Sequence, residues 1–117
     1  MICSPGDLVL IPFPFSDLQA TKKRPVLVLT SPDRHGDFIS LAVTSVPQPS
    51  PNILIDSTHL STGSLPKISW VRVDKVFTLY HRLMIKELGR LNNRTIRKIL
   101  AVLCDQIGYK YAVSAAS

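Results

Sequence analysis

Three adjacent cations in the stretch KKRPVLVLT are the residues with the clearest capacity for chemistry: Lys22, Lys23 and Arg24. They come directly before a proline and an apolar run, and a cation beside a buried strand is costly unless a negative partner compensates for its desolvation. A guanidinium fixed at such a place offers paired donors to phosphate oxygens and keeps its proton. The negative partner could instead be a carboxylate of the protein, such as Asp7 or Asp17, and the residues alone leave both possibilities open.

Other catalytic and metal-binding patterns are missing from the sequence. The five glycines are scattered, so there is no glycine-rich phosphate loop, and no serine lies in a nucleophile elbow. Cys3 and Cys104 lie far apart, and His35, His59 and His81 are isolated, so none of them has metal-ligand spacing. We expect no structural metal, no cofactor and no disulfide. A solvated role is expected for His59, whereas His35 and His81 are candidates for a phosphate contact or an acid.

The positive charge of the chain is concentrated in its second half. Residues 1–58 contain four Lys/Arg and five Asp/Glu, a net charge of −1, and residues 59–117 contain ten and three, a net charge of +7. The total is therefore +6, and the pI is about 9.7. Such a balance on a small domain favours a polyanionic partner, with nucleic acid first, over a protein that is basic without a binding role.

Short strands separated by turn residues are predicted for the first two-thirds of the chain. All nine prolines lie at or before Pro66, which disfavours long helices there. Apolar and β-branched segments predict a first strand that ends at Pro12 and a second that begins at Pro25. The predicted strand segments are 8–11, 26–30, 38–45, 53–55 and 67–76.

A C-terminal helix is predicted from the segment NNRTIRKILAVLCDQIG. Its apolar side chains recur at intervals of three and four, at Ile96, Ile99, Leu100, Leu103 and Ile107. Asn92 or Asn93 can cap its start and Gly108 can close it, while Cys104 lies on its apolar face as an expected buried thiol.

These elements predict one domain over residues 1–117, a small barrel with a helix packed on it, and a frayed tail at 109–117. No apolar run is long enough to cross a membrane, and the N-terminus lacks the basic region of a signal peptide. We therefore expect a cytoplasmic protein.

Three stretches in this order resemble the MazF/PemK family of toxin ribonucleases: PGDLVLIPFPFSDLQATKKRPVLVLT, LAVTS and SWVRVDKVFTLYHRLMIKELGRL. The resemblance extends from Pro5 to about Leu103. It implies an SH3-like β-barrel with a C-terminal helix, usually assembled as a homodimer. It also implies metal-independent cleavage of single-stranded RNA, and an acidic antitoxin that covers the RNA-binding groove.

The resemblance assigns catalytic roles to two residues. Arg24 matches the arginine that precedes the proline of the second strand, and Thr44 matches the threonine that completes the site, with Ser45 beside it. In the implied reaction a ribose 2′-hydroxyl attacks the adjacent phosphorus and leaves a cyclic phosphate. Arg24 would stabilise the developing charge, and Thr44 would orient the phosphate or pass a proton.

The first loop departs from the family pattern. Many relatives have Gly-Ser-Glu-Gln there, with the glutamate five residues before the arginine, but this chain has Gln19 at that position. Gln19 cannot act as a general base, and Asp17 could replace it only if the loop folds differently. The base is therefore unassigned.

Further residues are expected to contact RNA. Lys22 and Lys23 would flank the phosphate path, Lys75 and Thr78 would contact RNA or the antitoxin, and a second loop would reach the same groove. The complete set is Lys22, Lys23, Arg34, His35, Lys75 and Thr78. For Trp70 we favour a place in the core or a dimer interface over base stacking.

Two alternatives remain for the function. One is a catalytically silent module that binds nucleic acid or an antitoxin, which the absence of the loop glutamate keeps open. The other is a protein-binding poison of the gyrase-inhibiting kind, which is disfavoured because the tail YKYAVSAAS has no tryptophan.

Overall fold

The computed structural model describes residues 3–14 and 21–108. They form seven strands and one α-helix: β1 (Asp7–Pro14), β2 (Thr21–Val28), β3 (Asp37–Thr44), β4 (Ile53–Ile55), β5 (Leu60–Gly63), β6 (Ser69–Tyr80), β7 (Lys86–Leu91) and α1 (Asn93–Gln106). A single 3₁₀ turn, Ser57–His59, precedes β5, and another, His81–Leu83, follows β6.

The strands form one antiparallel sheet in the order β4-β6-β3-β2-β1-β7-β5. The first three strands are sequential neighbours, and β6 returns to pair with both β3 and β4. Strand β2 is therefore the middle strand of the sheet. The predicted fold class, mainly β with one C-terminal helix, is confirmed, and the sheet curves as a half-barrel.

The central strands bury apolar side chains on both faces. Leu27 and Leu41 belong to a large cluster that α1 covers with Ile99. Val26 and Phe38 belong to a second cluster on the other face. Because successive strand residues point to opposite faces, the uninterrupted apolar run of β2 reflects burial on both sides.

Strand β1 is longer than predicted and includes both Pro12 and Pro14. Strand β7 pairs with β1 only from Asp7 to Leu10, so the two prolines lie where β1 has a hydrogen-bonded neighbour on one side only. A missing N–H is tolerated at such an edge. The expectation that Pro12 ends the strand is therefore wrong.

Strand β2 begins at Thr21 and not at Pro25 as predicted. The cations lie inside it, with Arg24 opposite Ile11 of β1. Lys22 and Lys23 are exposed, which explains how charged residues continue a strand whose later half is buried.

Strands β5 and β7 were missed by the sequence analysis because both are short and largely polar. They meet at two glycines. A Cβ on Gly89 would lie 2.5 Å from the carbonyl oxygen of Thr62, and Gly63 has a φ of +80°. The two backbones can approach this closely only because side chains are absent.

Helix α1 begins as predicted, with Asn92 as its cap: the side chain accepts a backbone N–H three residues further on at 2.9 Å. Ile99 is fully buried, but Leu100 and Ile107 are 40% and 71% exposed. The apolar face of α1 that contacts the sheet is thus narrower than the predicted stripe, and it does not include Ile107, which follows the last residue of the helix. Cys104 is half-buried, not buried as expected, and the predicted frayed tail lies outside the described residues.

Candidate nucleic-acid interface

Arg24 and Thr44 lie on neighbouring strands at the point where β2 and β3 stop pairing. The last paired residues are Val26 and Ala42, and continuing their register by two residues places Arg24 opposite Thr44. Residues that face each other across an antiparallel pair share one face of the sheet. The catalytic pair assigned by resemblance therefore occupies one face of the two central strands.

Pro25 explains why the pairing ends there. The N–H of Leu29 donates to the carbonyl of Ile39 in β3 at 2.8 Å. Alternate residues of a strand direct their backbone groups to the same neighbour, so Pro25 also faces β3. Because proline has no N–H to donate, the β2–β3 ladder cannot continue in the normal way past this residue.

Two adjoining cavities meet at this position. They share Arg24, Pro25, Val43 and Thr44 in their walls. The first cavity, of about 230 Å³, extends over β3 and β6, and the second, of about 370 Å³, extends towards the end of β3.

The charged side chains of the described residues that line the two cavities are all positive. Arg24 lines both cavities. The first cavity is also lined by Arg72 and Lys75. The second is also lined by four lysines, Lys22, Lys23, Lys67 and Lys86. Among the described residues, no Asp or Glu lines either cavity. Low-dielectric walls with charge of one sign concentrate the field and favour a polyanion.

The hydroxyl of Thr44 is held in one orientation by the backbone. Its Oγ1 accepts the N–H of Val46 at 3.1 Å. Because a hydroxyl has one proton to donate and this oxygen already accepts, the proton of Thr44 remains available for a ligand oxygen. Ser45 lines the second cavity beside it.

A bulge in β6 shapes the first cavity. Two adjacent residues of β3 pair with Arg72 and Val76, so residues 73–75 have no partner on β3. The backbone N–H of Val73 instead donates to Oδ1 of Asn52 at 3.0 Å. Bulges redirect side chains beside functional sites, and here Lys75 lines the cavity from within the bulge.

Arg72 is oriented by a bidentate ion pair. Its Nε and Nη2 donate to the two carboxylate oxygens of Asp74 at 3.1 and 2.8 Å. The hydrogen bonds from Arg72 hold the pKa of Asp74 below its usual range, and the same contact raises the pKa of Arg72. The pair fixes a second guanidinium, with donors remaining on Nη1, at the wall of the first cavity.

Other predicted site residues lie apart from these cavities. Arg34 and His35 line a separate depression beyond the opposite end of β3, and Thr78 is exposed on β6 without lining either cavity. Gln19, the position of the family's loop glutamate, lies outside the described residues, as does Asp17.

Asp7, one candidate partner for Arg24, is paired elsewhere. Its carboxylate accepts from Nη1 of Arg90 at 3.0 Å and from the backbone N–H of Ser4 at 2.8 Å. These contacts join the start of β1 to β7, and they give Asp7 a structural role.

The sequence analysis missed three cations of the interface: Lys67, Arg72 and Lys86. The signal for Arg72 was present in SWVRVDKV, where alternation places Trp70, Arg72 and Asp74 on the face opposite the buried valines. For the two lysines no local signal exists, because only the sheet order brings their segments towards β2.

Residues 4–107 match the PemK-like, MazF-like toxins of type II toxin–antitoxin systems. The chain belongs to this toxin family. The match spans nearly the whole of the toxin, and it confirms the resemblance drawn from the sequence. No curated protein matches the toxin in sequence.

Three solved structures have the same fold as the toxin. A MazE–MazF complex from Deinococcus radiodurans superposes with a TM-score of 0.72 at 20% identity, covering 92% of the toxin and 98% of that chain. MazF from the same organism gives 0.70 at 21% identity, covering 92% and 98%. An endoribonuclease in complex with its cognate antitoxin from a mycobacterial species gives 0.71 at 19% identity, covering 91% and 95%.

Within residues 3–14 and 21–108, no group of three or more His, Cys, Asp or Glu side chains is arranged to hold a metal ion. The described part of the toxin also contains no helix with the length and apolar character needed to span a membrane. Cys3 and Cys104 are free thiols.

Proposed function

We propose that the toxin is an endoribonuclease that cleaves single-stranded RNA through attack of a ribose 2′-hydroxyl on the adjacent phosphorus. The observation that carries the proposal is that Arg24 and Thr44, just beyond the end of the β2–β3 ladder, both line two adjoining cavities whose charged lining residues, among those described, are all positive. Membership of the toxin family supports the same activity.

Arg24 is proposed to stabilise the transition state. As the 2′-oxygen bonds to phosphorus and the bond to the 5′-oxygen breaks, negative charge increases on the non-bridging oxygens. A guanidinium donates two parallel hydrogen bonds to such oxygens and needs no proton transfer to do so. Removal of one donor of this kind commonly slows a reaction by about 10²–10³.

Thr44 is proposed to hold the scissile phosphate in place. A hydroxyl that accepts the N–H of Val46 can still donate its own proton, and in this proposal it donates that proton to a phosphate oxygen. A neutral hydroxyl is a poor base, so Thr44 does not take the proton of the 2′-hydroxyl. That proton and the one that the leaving 5′-oxygen gains pass through groups that remain unassigned.

Arg72 is proposed as a second phosphate ligand. It borders the same cavity as Arg24 and Thr44, and Asp74 limits the orientations of its guanidinium. Pre-organisation of this kind reduces the ordering that the substrate must otherwise impose. The lysines of both cavities would guide the phosphate backbone on either side of the cleaved bond.

We propose an acidic antitoxin as the protein partner and a homodimer as the assembly. The first rests on the excess of cations at the two cavities, which an acidic segment would neutralise. MazF of Deinococcus radiodurans occurs in a complex with MazE, and the mycobacterial endoribonuclease occurs in a complex with its cognate antitoxin. The dimer is carried over from the family alone.

One assay separates an active enzyme from a silent RNA-binding module, the alternative that Gln19 keeps open. A long single-stranded RNA is incubated with the purified toxin in excess chelator, and the product ends are mapped. We expect cleavage to survive the chelator and to yield 2′,3′-cyclic phosphate ends. Intact RNA that is bound with a steep salt dependence would instead identify the silent module.

A further inference from the structure

We propose that the turn between β2 and β3 forms a second RNA-contact site, in which Arg34 and Arg82 bind backbone phosphates and Tyr80 stacks on a base. The inference rests on the proposed function, because it extends the path of the same RNA strand beyond the catalytic cavities. We call this depression, lined by residues 31–36 and 80–82, the turn site.

The turn site is a formed depression of about 480 Å³. Gly36 closes it against the end of β6: its carbonyl accepts the N–H of His81 at 2.8 Å. Gly36 has a φ of +83°, and a Cβ there would lie 2.7 Å from Cδ2 of His81 and 2.8 Å from Cε1 of Tyr80. The close packing of turn and strand end therefore depends on a glycine at this position.

The charge of the turn site is positive. Arg34 and Arg82 are exposed, and neither is within ion-pair distance of a carboxylate among the described residues. Among the described residues that line the turn site, only Asp33 has a carboxylate, and it accepts the backbone N–H groups of His35 and Asp37 at 2.8 and 3.0 Å. Nε of Arg34 donates to Nε2 of His35 at 3.3 Å, which limits the positions of the guanidinium.

Tyr80 supplies an aromatic surface beside these cations. It is 42% exposed, and its ring meets that of His81 edge-on, with centroids 5.3 Å apart. An exposed ring flanked by arginines is typical of sites that bind single-stranded nucleic acid, because bases stack on the ring while the cations follow the backbone. This combination favours RNA over an acidic protein segment, which would need the cations alone.

The turn site and the catalytic cavities lie at opposite ends of β3. Asp37 and Thr44 are the first and last residues of that strand, so the two sites are separated by about 20–25 Å along β3 at about 3.4 Å per residue. Tyr80 pairs with Asp37 and therefore lies on the face of the sheet opposite Thr44. An RNA that contacts both sites must also pass around the end of the sheet. Only an RNA of several nucleotides can contact both. The prediction specific to this inference is that the turn site matters for long RNA and not for short RNA.

The test compares two RNAs, of about 4 and about 16 nucleotides, which are the limits of common single-strand site sizes. Both carry 2′-O-methyl riboses throughout, so that binding is measured without cleavage. The double variant Arg34→Gln/Arg82→Gln is compared with Arg94→Gln/Arg97→Gln, which removes the same charge from exposed positions of α1. Affinities are measured by fluorescence anisotropy over a range of salt concentrations, and circular dichroism confirms the fold of each variant.

We expect the turn-site variant to bind the long RNA about tenfold more weakly. Its salt dependence should decrease by a slope of about 1.4, for two phosphate contacts on a single strand. The short RNA and the control variant should show neither change. Tyr80→Leu should weaken binding of the long RNA about fivefold or more, while Tyr80→Phe, which keeps the ring, should not.

Three outcomes overturn the inference: an equal loss for both RNA lengths, an equal loss in the α1 control, or a turn site that binds an oligoglutamate peptide while RNA affinity is unchanged in the variant. The last would identify a protein-docking surface. Failure of the proposed function can be told apart from failure of this inference. If the toxin cleaves no unmodified RNA but its turn-site variant still binds long RNA more weakly, the proposed function is wrong and the turn site stands. If cleavage is normal but the turn-site variant binds long RNA as well as the unaltered toxin does, only the turn-site inference is wrong.

Discussion

Arg24 of β2 and Thr44 of β3 each lie two residues beyond the last pair of the β2–β3 ladder, and both line the same two cavities. Pro25, between Arg24 and Val26, cannot donate to β3, so the pairing ends beside the guanidinium of Arg24 and the hydroxyl of Thr44. The residue that interrupts the pairing of the two central strands thus lies where the two cavities meet.

The ion pair between Arg72 and Asp74 should affect catalysis more than stability. Asp74→Asn leaves Arg72 charged but removes the carboxylate that orients it. We expect the single-turnover cleavage rate to fall by about tenfold through loss of positioning. The free energy of unfolding should change by less than about 1 kcal/mol, since both side chains are partly exposed.

The control for this change is Glu87→Gln, which removes one negative charge from an exposed residue of β7 that lines neither cavity. Rates are measured with saturating enzyme, and stability is measured by urea denaturation. Equal rates in Asp74→Asn and Glu87→Gln would refute the positioning role of Asp74.

The sequence predicted the central part of the fold because that part is buried on both faces. The apolar runs VLVLT and FISLAVTS could form only interior strands, and the structure places them as β2 and β3 at the middle of the sheet. The start of β2 could not be predicted, because Lys22 and Lys23 are exposed and resemble a loop. Their strand conformation comes from hairpin pairing with Phe13 and Pro12 of β1, which the two lysines themselves do not indicate.

The candidate site was predictable only in part, for a related reason. The family resemblance pointed to Arg24 and Thr44, and the β2–β3 register places them together. Lys67 and Lys86 come from segments distant in sequence, so their contribution to the second cavity depends on sheet order. Conversely, Arg34 lies near Arg24 in sequence but lines a different depression.

The turn at Asp33 should loosen only in acid. Its carboxylate accepts the backbone N–H groups of Asp37 and His35, and these hydrogen bonds hold the pKa of Asp33 below its usual range. Because the pKa is lowered by folding, the stabilisation is complete above the unfolded value of about 3.9 and is lost as the pH falls through the folded value.

NMR measures this directly through the side-chain carboxyl carbon of Asp33. Its chemical shift should be constant from neutral pH down to about pH 4 and should change only below that. Asp33→Asn should shift the amide resonances of His35 and Asp37 at neutral pH, because it removes the charged acceptor of both N–H groups. A carboxyl transition of Asp33 above pH 5 would show that the carboxylate is not held in its charged form.

Gly63 should be far less replaceable than Gly108. Both have a positive φ, +80° and +82°. A Cβ at Gly63 would clash with the carbonyl oxygen of Leu88 and lie 2.5 Å from Cα of Gly89, whereas a Cβ at Gly108 would have nothing within 4 Å. Gly108→Ala should therefore lose about 1–2 kcal/mol from backbone strain, and Gly63→Ala about 3 kcal/mol or more.

Both losses are measured as free energies of unfolding in urea. Similar values for the two variants would mean that β5 and β7 do not approach as closely as Gly63 and Gly89 indicate.

The contact of α1 with the sheet should depend on Ile99 much more than on Leu100. Ile99 is fully buried in the larger apolar cluster, and Leu100 is 40% exposed. Ile99→Ala should reduce the free energy of unfolding by about 3 kcal/mol, through lost burial and the cavity that remains. Leu100→Ala should cost about 1 kcal/mol or less. The opposite order would place a different face of the helix against the sheet.

The central claim is that the guanidinium of Arg24 stabilises negative charge that develops on the phosphate oxygens only in the transition state. Single-turnover cleavage with saturating toxin tests this claim most directly. Arg24→Ala should lower the rate constant by about 10²–10³, and Arg24→Lys should recover little of it, because an ammonium lacks the paired donors. Lys22→Ala, a cation two residues away, should weaken RNA binding and lower this rate constant by less than about tenfold. Equal losses of the rate constant in Arg24→Ala and Lys22→Ala would contradict the account.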